Sequence, residues 1–286
     1  MQIETSRQPG RVWILTDARY LAQRMPLALA GCLRAEGADV RLLVADGLVA
    51  AADPRSPDED PWHRLAAGDV VVARTRNRFA LALLRAAARP GVAVLTPWAA
   101  VAAVRNKPRA AQALAAAGVP APPTVLADSP ASLKRLPSER FPLLLKPHLG
   151  DNARGIVLVR TAAELDDLPW TDGMVLAQTY VDAGAVDLKL YAAGDRVWAV
   201  RRPSPLAEGG AEAAERVEPS EAHRRLVHAC ARTFGLSLLG VDVLETRGGP
   251  LVVDVNDFPN YTGVAEAPGA IAALVEAALA QGVALA

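Results

Sequence analysis

The amino-acid sequence predicts an α/β fold in three lobes, an open βαβ lobe followed by two α+β lobes. Apolar strands alternate with helical periods over the first third of the chain, strands dominate after the double proline Pro122-Pro123, and a long hairpin precedes a closing helix. With 286 residues, 51% of them hydrophobic, the chain is long enough for lobes that share a core. We place the lobes at residues 1–97, 98–181 and 182–286.

The first lobe begins with a strand, a helix and a second strand, the order of an open βαβ unit. The turn after the first strand, Thr16-Asp17-Ala18-Arg19, lacks Gly-x-Gly-x-x-Gly, which argues against a dinucleotide site there. The predicted elements of this lobe are, in order, the strand Val12–Thr16, the helix Tyr20–Glu36, the strand Val40–Ala45, the strand Asp69–Ala73, the helix Phe79–Ala88 and the strand Ala93–Leu95.

The second and third lobes mix strands and helices. Gly118-Val119-Pro120 and the double proline end the helix that opens the second lobe. The remaining predicted elements are the helix Trp98–Ala117, strands between 124 and 181 around the helix Ala162–Leu168, the strands Leu188–Ala192 and Arg196–Arg201, the helix Ser220–Phe234, the hairpin Leu239–Asn256 and the helix Ala267–Ala280.

Composition excludes several classes of protein. The 31 acidic and 31 basic residues balance, which argues against a nucleic-acid partner bound through phosphate neutralisation. No run of about 18 apolar residues and no signal-peptide pattern occurs, so we expect a cytoplasmic protein without a membrane partner. Cys32 and Cys230 lie in helical patterns without metal-ligand spacing and are predicted to be buried thiols.

The few lysines indicate where chemistry occurs. Only four of the 31 basic residues are Lys, and a compact, flexible ammonium is the feature that Arg cannot replace. Lys107 precedes an alanine-rich helix, Lys146 ends an apolar strand and Lys189 lies within a strand, positions from which a nucleotide phosphate site could be assembled. Lys134 lies on a polar stretch and is interpreted as an ordinary surface residue.

A glycine-bearing loop follows Lys146 and contains Gly150 and Gly155. Because glycine permits close approach of the backbone, such a loop can point N–H groups at an anion. It is not a Walker A loop, since no Gly-Lys-Ser/Thr opens a helix here. An ordinary hairpin is the alternative interpretation.

The C-terminal hairpin carries a candidate metal site. A hairpin centred on Gly248 places Asp242 opposite Asp254, and alternation puts Asn256 on the same face as Asp254. Two acids across a ladder repel unless a cation lies between them, and hard oxygen ligands suit Mg²⁺. Two exposed acids on a solvated face are the alternative.

Arginines follow two predicted strands. Arg74, Arg76 and Arg78 come at the carboxyl end of a predicted parallel strand, where open α/β sheets bind ligands, and are candidates for binding an anionic substrate. Arg201 and Arg202 end another strand. A solvated basic turn is the alternative in both places.

Taken in order, these residues resemble the ATP-grasp superfamily over nearly the whole chain. The likeness is greatest to the branch of ribosomal-protein glutamate ligases, the RimK-like enzymes. The residues that carry it are Lys107, Lys146 with its glycine loop, the segment Val175 to Val181, Asp187-x-Lys189, Arg201-Arg202, Asp242, Asp254-x-Asn256 and Pro259.

The resemblance implies a role for each position. ATP would contact Lys107 and Lys146 through its phosphates, and adenine would lie against the backbone from Gln178 to Val181, the hinge segment between the lobes. The further ATP-binding residues implied are Gly150, Gly155, Gln178, Thr179, Tyr180, Val181, Asp187 and Lys189. The metal ligands implied are Asp242, Asp254 and Asn256, which would hold one or two Mg²⁺, with Mn²⁺ as an alternative ion. The catalytic residues implied are Arg202, Lys189 and Arg201, with Arg202 stabilising the transferred phosphate.

The resemblance also implies an activity. It predicts a pre-ATP-grasp lobe over 1–97, a lid lobe over 98–181, and an ATP- and Mg²⁺-dependent carboxylate–amine ligase that acts through an acylphosphate on an amino acid, peptide or protein tail. The alternative is a small-molecule kinase, because Asp254 to Tyr261 resembles the metal strand of inositol-phosphate kinases. The His-Lys pair of those kinases is missing after the glycine loop, and residues 203–215 lack the Asn and His of the glutamate ligases. Homo-oligomerisation is left open.

Overall fold

A computed structural model describes residues 10–52, 60–149, 155–166, 168–184, 186–204 and 214–281. Its first sheet is parallel, in the order Val40–Val44, Val12–Thr16, Val70–Arg74 and Ala93–Val94, and the strand Val12–Thr16 pairs with both of its neighbours. The open βαβ start is therefore confirmed. The elements are β1 Val12–Thr16, α1 Ala18–Leu21, α2 Arg24–Ala35, β2 Val40–Val44, β3 Val70–Arg74, α3 Arg78–Ala87 and β4 Ala93–Val94.

Two helices predicted as continuous are broken, in both cases next to a proline. The predicted helix Tyr20–Glu36 divides into α1 and α2, and Met25 has extended dihedrals because Pro26 disfavours the helical region for the residue before it. The predicted helix Trp98–Ala117 divides at Asn106 into α4 Trp98–Arg105 and α5 Lys107–Ala116. Pro108 cannot continue α4, because it lacks an N–H and its ring would clash with the preceding turn. The break places Lys107 in the first turn of a new helix.

The second sheet is antiparallel, in the order Thr124–Ala127, Val175–Thr179, Leu143–Lys146 and Val157–Val159. Its strands are β5 Thr124–Ala127, β6 Leu143–Lys146, β7 Val157–Val159 and β8 Val175–Thr179. One face packs its own small core, which includes Leu143, Leu145 and Ala177. By alternation, Lys146 and Gln178 lie on the other face. The predicted helix Ala162–Leu168 is only a 3₁₀ turn, Ala162–Leu165.

The neighbouring strands of the third sheet are antiparallel, in the order Glu215–Val217, Arg196–Pro203, Val186–Ala193, Leu238–Thr246 and Gly249–Asp257. Its elements are β9 Val186–Ala193, β10 Arg196–Pro203, β11 Glu215–Val217, α6 Glu221–Phe234, β12 Leu238–Thr246, β13 Gly249–Asp257 and α7 Ala267–Gln281. Helix α6 begins with a capping box formed by Ser220 and His223 and ends at Gly235, which has a left-handed backbone.

The two faces of the third sheet differ. One face packs against α4, α5 and α6 through side chains such as Leu190 and Val241. On the opposite face, Tyr191, Trp198 and Val200 join a core shared with the first sheet, α2 and α7. The remainder of that face carries charged residues. The predicted boundaries at 97 and 181 fall between sheets, but the shared core joins the first and third sheets, so the division into lobes stays a prediction.

The C-terminal hairpin pairs Asp242 with Asp254, as predicted, although its turn is different from the predicted one. Thr246 pairs with Gly249, so an unbroken ladder would place Asp242 opposite Val253. A β-bulge between Asp242 and Val243 leaves Val253 without a partner residue and shifts the register by one. The bulge thus brings the two aspartates together.

Candidate active site

A cleft lies between the second and third sheets, alongside α5. Its cavity volume is about 270 Å³. Apolar side chains such as Leu114, Leu176 and Val252 line much of it, and Lys107, Lys146, Gln178 and Asp254 are among its polar residues. An apolar cavity with a few convergent polar groups is typical of a small-molecule site.

Lys107 connects the start of α5 to two other segments. The side chain of Asn106 caps the helix by accepting a hydrogen bond from the Arg109 N–H. The backbone N–H of Lys107 donates to the His148 carbonyl over 3.0 Å, and its Nζ donates to Asp254 Oδ1 over 2.9 Å. The glycine loop, α5 and β13 therefore meet at one lysine.

Lys146 is only 6% exposed and has two neutral acceptors. Its Nζ donates to Gln178 Oε1 over 2.7 Å and to the Val253 carbonyl over 3.2 Å. The β-bulge presents this carbonyl. Burial lowers the pKa of the Lys146 ammonium to about 8, although the charge of Asp254 opposes the shift. An anion bound beside Lys146 would favour its protonated form.

Asp242 lies at the centre of a charged ladder. Lys189 is its partner residue in β9 and approaches it to 2.7 Å, while Arg202 Nη2 donates to Asp242 Oδ1 over 3.0 Å. Asn256 Nδ2 donates to Asp242 Oδ2 over 3.3 Å. Burial raises the pKa of the nearby Asp187 carboxyl, although a hydrogen bond that it accepts from the Ser204 hydroxyl opposes the shift. The pairing register of the adjacent strands β10, β9, β12 and β13 thus brings these side chains together.

Asp254 is held as a carboxylate. Desolvation by the surrounding protein opposes its ionisation, but the positive charges of Lys107, Lys146 and Lys189 outweigh that effect and lower the pKa of Asp254. The predicted metal residues therefore supply two carboxylates and one amide oxygen. This donor set fits Mg²⁺ that shares its coordination shell with phosphate oxygens. Within the described ranges, no group of three or more His, Cys, Asp or Glu could hold a metal ion alone.

The three arginines after β3 reach different places. Arg74 is buried, donates to the Met25 and Phe258 carbonyls and to Gln23 Oε1, and lies over the Tyr20 ring. It therefore joins the first sheet to the end of β13 beneath the site. Arg76 Nη2 reaches Asn256 Oδ1 at 3.4 Å. Arg78 is exposed at the start of α3.

Arg201 and Arg202 lie on opposite faces of β10. Arg202 points toward Asp242, whereas Arg201 is half-exposed and lies 3.6 Å from Glu245. The structure brings together Lys107, Lys146, Gln178, Lys189, Arg202, Asp242, Asp254, Asn256 and Arg76. It does not bring Arg201 to this cluster.

The hinge segment is held by prolines. The Thr179 N–H donates to the Pro123 carbonyl over 2.8 Å, and the Tyr180 N–H donates to the Pro142 carbonyl over 3.0 Å. These bonds fix the path of the chain toward Val181 as it leaves β8. In the glycine loop, Gly155 has a φ of 73°, which requires glycine, and Gly150 lies outside the described residues.

Arg105 is a supporting residue that was not predicted. Its Nε and Nη2 bind the two oxygens of the buried Asp257 at 3.2 and 2.9 Å, and Nη2 also donates to the Thr75 carbonyl. The three joined segments are those that carry Lys107, Asn256 and Arg76. Pairing across 152 residues leaves no local signal.

Asp17 is a second such residue. Its Oδ2 accepts hydrogen bonds from the Thr75 hydroxyl and from the N–H groups of Arg76 and Asn77, at 2.9, 2.7 and 3.1 Å. It thereby fixes the loop that presents Arg76. A signal was available, because Asp17 directly follows a buried parallel strand at the edge where ligands bind.

Comparison with known proteins gives a family model and curated relatives that match this chain. A family model described as the RimK-like ATP-grasp domain matches residues 104–276. A probable alpha-L-glutamate ligase of Stutzerimonas stutzeri is 32% identical over 206 residues, which cover 67% of this chain and 68% of that protein. Another, from Hahella chejuensis, is 33% identical and covers 67% of each chain.

Solved structures give the same fold. The ATP-grasp ligase PsnB, complexed with minimal precursor, Mg and ADP, has a TM-score of 0.69 at 17% identity and covers 97% of this chain and 100% of its own. D-alanine–D-alanine ligase from Bacillus anthracis has a TM-score of 0.64 at 14% identity, over 96% and 97% of the two chains.

These findings confirm the predicted fold and the predicted enzyme class, an ATP-dependent ligase that forms amide bonds. No helix in the described ranges is long and apolar enough to cross a membrane. The matched segment contains Lys107, Lys146 and Asp254, which line the cleft, and Asp242, which pairs with Asp254. The chain belongs to the RimK-like ATP-grasp family.

Proposed function

We propose that this protein uses ATP to activate the carboxylate of an amino acid, peptide or protein tail and joins it to an amine. The observation that carries the proposal is a group of four cations beside an apolar cleft. Lys107 binds the carboxylate of Asp254, Lys189 and Arg202 bind that of Asp242, and Lys146 lies nearby on neutral acceptors. A polyphosphate is bound well by such a site, because the Lys and Arg cations neutralise its charge and the carboxylates can hold Mg²⁺.

The reaction requires two group transfers. A carboxylate oxygen attacks the γ-phosphorus of ATP, the bond from that phosphorus to the β–γ bridging oxygen breaks, and ADP leaves. The amine nitrogen then attacks the carbonyl carbon of the acylphosphate, orthophosphate leaves and the nitrogen loses a proton. Both steps depend on neutralising phosphate charge and on alignment, so no protein nucleophile is needed.

The cleft provides the nucleotide end of this site. We assign Lys107 and Lys146 to the α- and β-phosphates, Lys189 and Asp187 to the remainder of the nucleotide, and Gly155 to the loop that covers the phosphates. Adenine would lie in the apolar cavity, along Gln178, Thr179, Tyr180 and Val181. The hydrogen bonds from Thr179 and Tyr180 to proline carbonyls support this assignment, because they hold the segment rigidly.

The charged ladder provides the transfer end. Asp242, Asp254 and Asn256 would hold one or two Mg²⁺, or Mn²⁺, and the metal would neutralise charge on the transferring phosphate. Arg202 is placed beside them, and its Nε is buried without a hydrogen-bond partner among the described residues. We assign Arg202 to the transferred phosphoryl group and Arg76 to the substrate acid.

The substrates are proposed from chemistry and from the relatives. Because the similar proteins from S. stutzeri and H. chejuensis are named probable alpha-L-glutamate ligases, L-glutamate is the first amine to test. D-cycloserine synthetase has a TM-score of 0.69 at 20% identity, covers 94% of this chain and 100% of its own, and shows how widely products differ on this fold.

One assay separates the ligase from the kinase suggested by the motif from Asp254 to Tyr261. Mg-ATP is incubated with pooled amino acids, dipeptides and polyol phosphates, and ADP and orthophosphate are measured separately. The ligase releases ADP and orthophosphate equally, only when an acid and an amine are both present. ADP without orthophosphate would mean that the phosphoryl group stays on the product, as in a kinase.

A further inference from the structure

Every predicted metal ligand already accepts a hydrogen bond from a positively charged side chain or lies against one. Lys107 Nζ donates to Asp254 over 2.9 Å, and Lys189 and Arg202 approach Asp242 to 2.7 and 3.0 Å. The oxygen of Asn256 accepts from Arg76 at 3.4 Å. A divalent cation that arrived alone would therefore have to displace like charges.

The contact between Lys107 and Asp254 is the one best suited to exchange. It is a single hydrogen bond between a flexible ammonium and a partly exposed carboxylate, and both side chains line the nucleotide cleft. A polyphosphate in the cleft would offer Lys107 an acceptor of higher charge. Lys146 lies nearby, bound to neutral acceptors that it can also exchange for phosphate oxygens.

We propose that Lys107 acts as a stand-in cation on Asp254, so that nucleotide must draw Lys107 away before the site binds a divalent metal tightly. This inference rests on the proposed function and adds an order to it, with nucleotide before metal. By linkage, the metal then raises nucleotide affinity by the same factor. This binding order depends only on the Lys107 ammonium occupying an oxygen of Asp254. It is therefore expected for any acid and amine that the enzyme joins.

The test measures metal binding without turnover. The chelator-treated full-length protein is titrated with Mn²⁺, and free Mn²⁺ is followed by its electron paramagnetic resonance signal. We expect the Lys107→Met variant to bind Mn²⁺ at least tenfold more tightly than the wild type without nucleotide. With saturating ADP, corrected for Mn²⁺ bound to ADP alone, the wild type should gain at least tenfold and the variant much less.

The matched control is Lys134→Met. It removes the same charge, but Lys134 pairs with the exposed Asp166 in the second lobe, away from the cleft. It should leave Mn²⁺ affinity within twofold of wild type. In Lys107→Met combined with Asp254→Asn, the gain should disappear, because the exposed ligand has been removed. Lys107→Gln provides a second variant if Lys107→Met does not fold by circular dichroism.

The outcomes separate the inference from the proposed function. Equal Mn²⁺ affinity of wild type and both Lys107 variants without nucleotide would overturn the inference even if ADP binds. An equal gain in Lys134→Met would also overturn it, since the effect would then be net charge. Failure of the wild type to bind ADP, with or without Mn²⁺, would instead contradict the proposed nucleotide site, whereas the nucleotide-free comparison still tests the role of Lys107.

Discussion

Two ion pairs join the break between α4 and α5 to the end of β13, and they differ in kind. Arg105 binds Asp257 through two hydrogen bonds, with side chains only 10% and 4% exposed, and also holds the Thr75 carbonyl. Lys107 binds Asp254 through one hydrogen bond, with side chains 14% and 32% exposed, at the edge of the cleft.

This difference indicates that the Arg105 pair maintains the fold, whereas the Lys107 pair is available for ligand binding. A planar guanidinium that binds both oxygens of a buried carboxylate fixes the geometry, and removal of either partner leaves an unpaired buried charge. A lysine on a flexible stem can change acceptor at little cost. The same helix break therefore supplies a permanent clamp and, two residues later, an exchangeable cation.

The largest expected effect comes from the carboxylate of the exchangeable pair. Asp254→Ala should reduce Mg²⁺-dependent ADP formation by about 10²–10³-fold, the scale of losing a charge-stabilising group. The thermal melt should remain close to wild type, because Asp254 lies at the cleft rather than in a core. Full activity in this variant would contradict the metal assignment.

The clamp should matter to folding instead. Arg105→Met is expected to lower the free energy of unfolding by about 3 kcal/mol, since Asp257 would remain buried without its partner. Urea unfolding measures the change. Arg109→Met, on the exposed side of α5, is the control and should differ from wild type by less than about 0.5 kcal/mol. Equal stability of the two variants would show that the two ion pairs are not different in kind.

Lys146 provides a pH test of the cleft. Its pKa of about 8 means that it is mostly protonated at pH 7, and bound phosphate would raise that pKa. Nucleotide affinity should therefore fall as the pH rises above about 8, with proton uptake on binding. Calorimetry in two buffers detects this uptake. Lys146→Ala should bind ATP about 10–100-fold more weakly and lose the pH dependence. Unchanged ATP affinity in Lys146→Ala would indicate that the glycine loop after Lys146 is an ordinary hairpin and not part of a phosphate site.

The smallest effect on activity is expected for the two arginines that follow β3, Arg76 and Arg78. Arg76→Ala should raise the KM for the acid substrate about tenfold, because its guanidinium reaches Asn256, whereas Arg78→Ala should change it less than twofold. Steady-state kinetics on the substrate pair found by the pooled assay measures both. A larger effect from Arg78 would move the acid site toward α3.

Local patterns predicted the parts of the site that depend on strand periodicity. Lys146, Lys189 and Asp242 lie on strands found close to their predicted bounds, and alternation along each strand decides which face of the sheet the side chain occupies. The predicted facing of Asp242 and Asp254 is confirmed although its basis was wrong, because the turn lies half a residue away and the bulge restores the pairing.

Other features of the site depend on tertiary structure and could not be predicted from the neighbouring sequence. Arg105 meets Asp257 across 152 residues, and nothing near either residue indicates the pair. The strand ends at Arg74, so alternation does not extend to Arg76 and Arg78, and the fold alone decides which arginine faces the site. The roles of the site residues stay predictions until the variants are measured.

The shared core limits how this enzyme can be recombined with its relatives. The family match begins at residue 104, yet Tyr191 and Trp198 pack against a core to which β1 and β3 contribute. Tyr261, fully buried in that core, also donates to the Ala192 carbonyl over 2.6 Å. A chimera that grafts residues 104–276 onto a foreign first lobe would expose this aromatic surface. Exchange should succeed only when both sides of the core are transferred together.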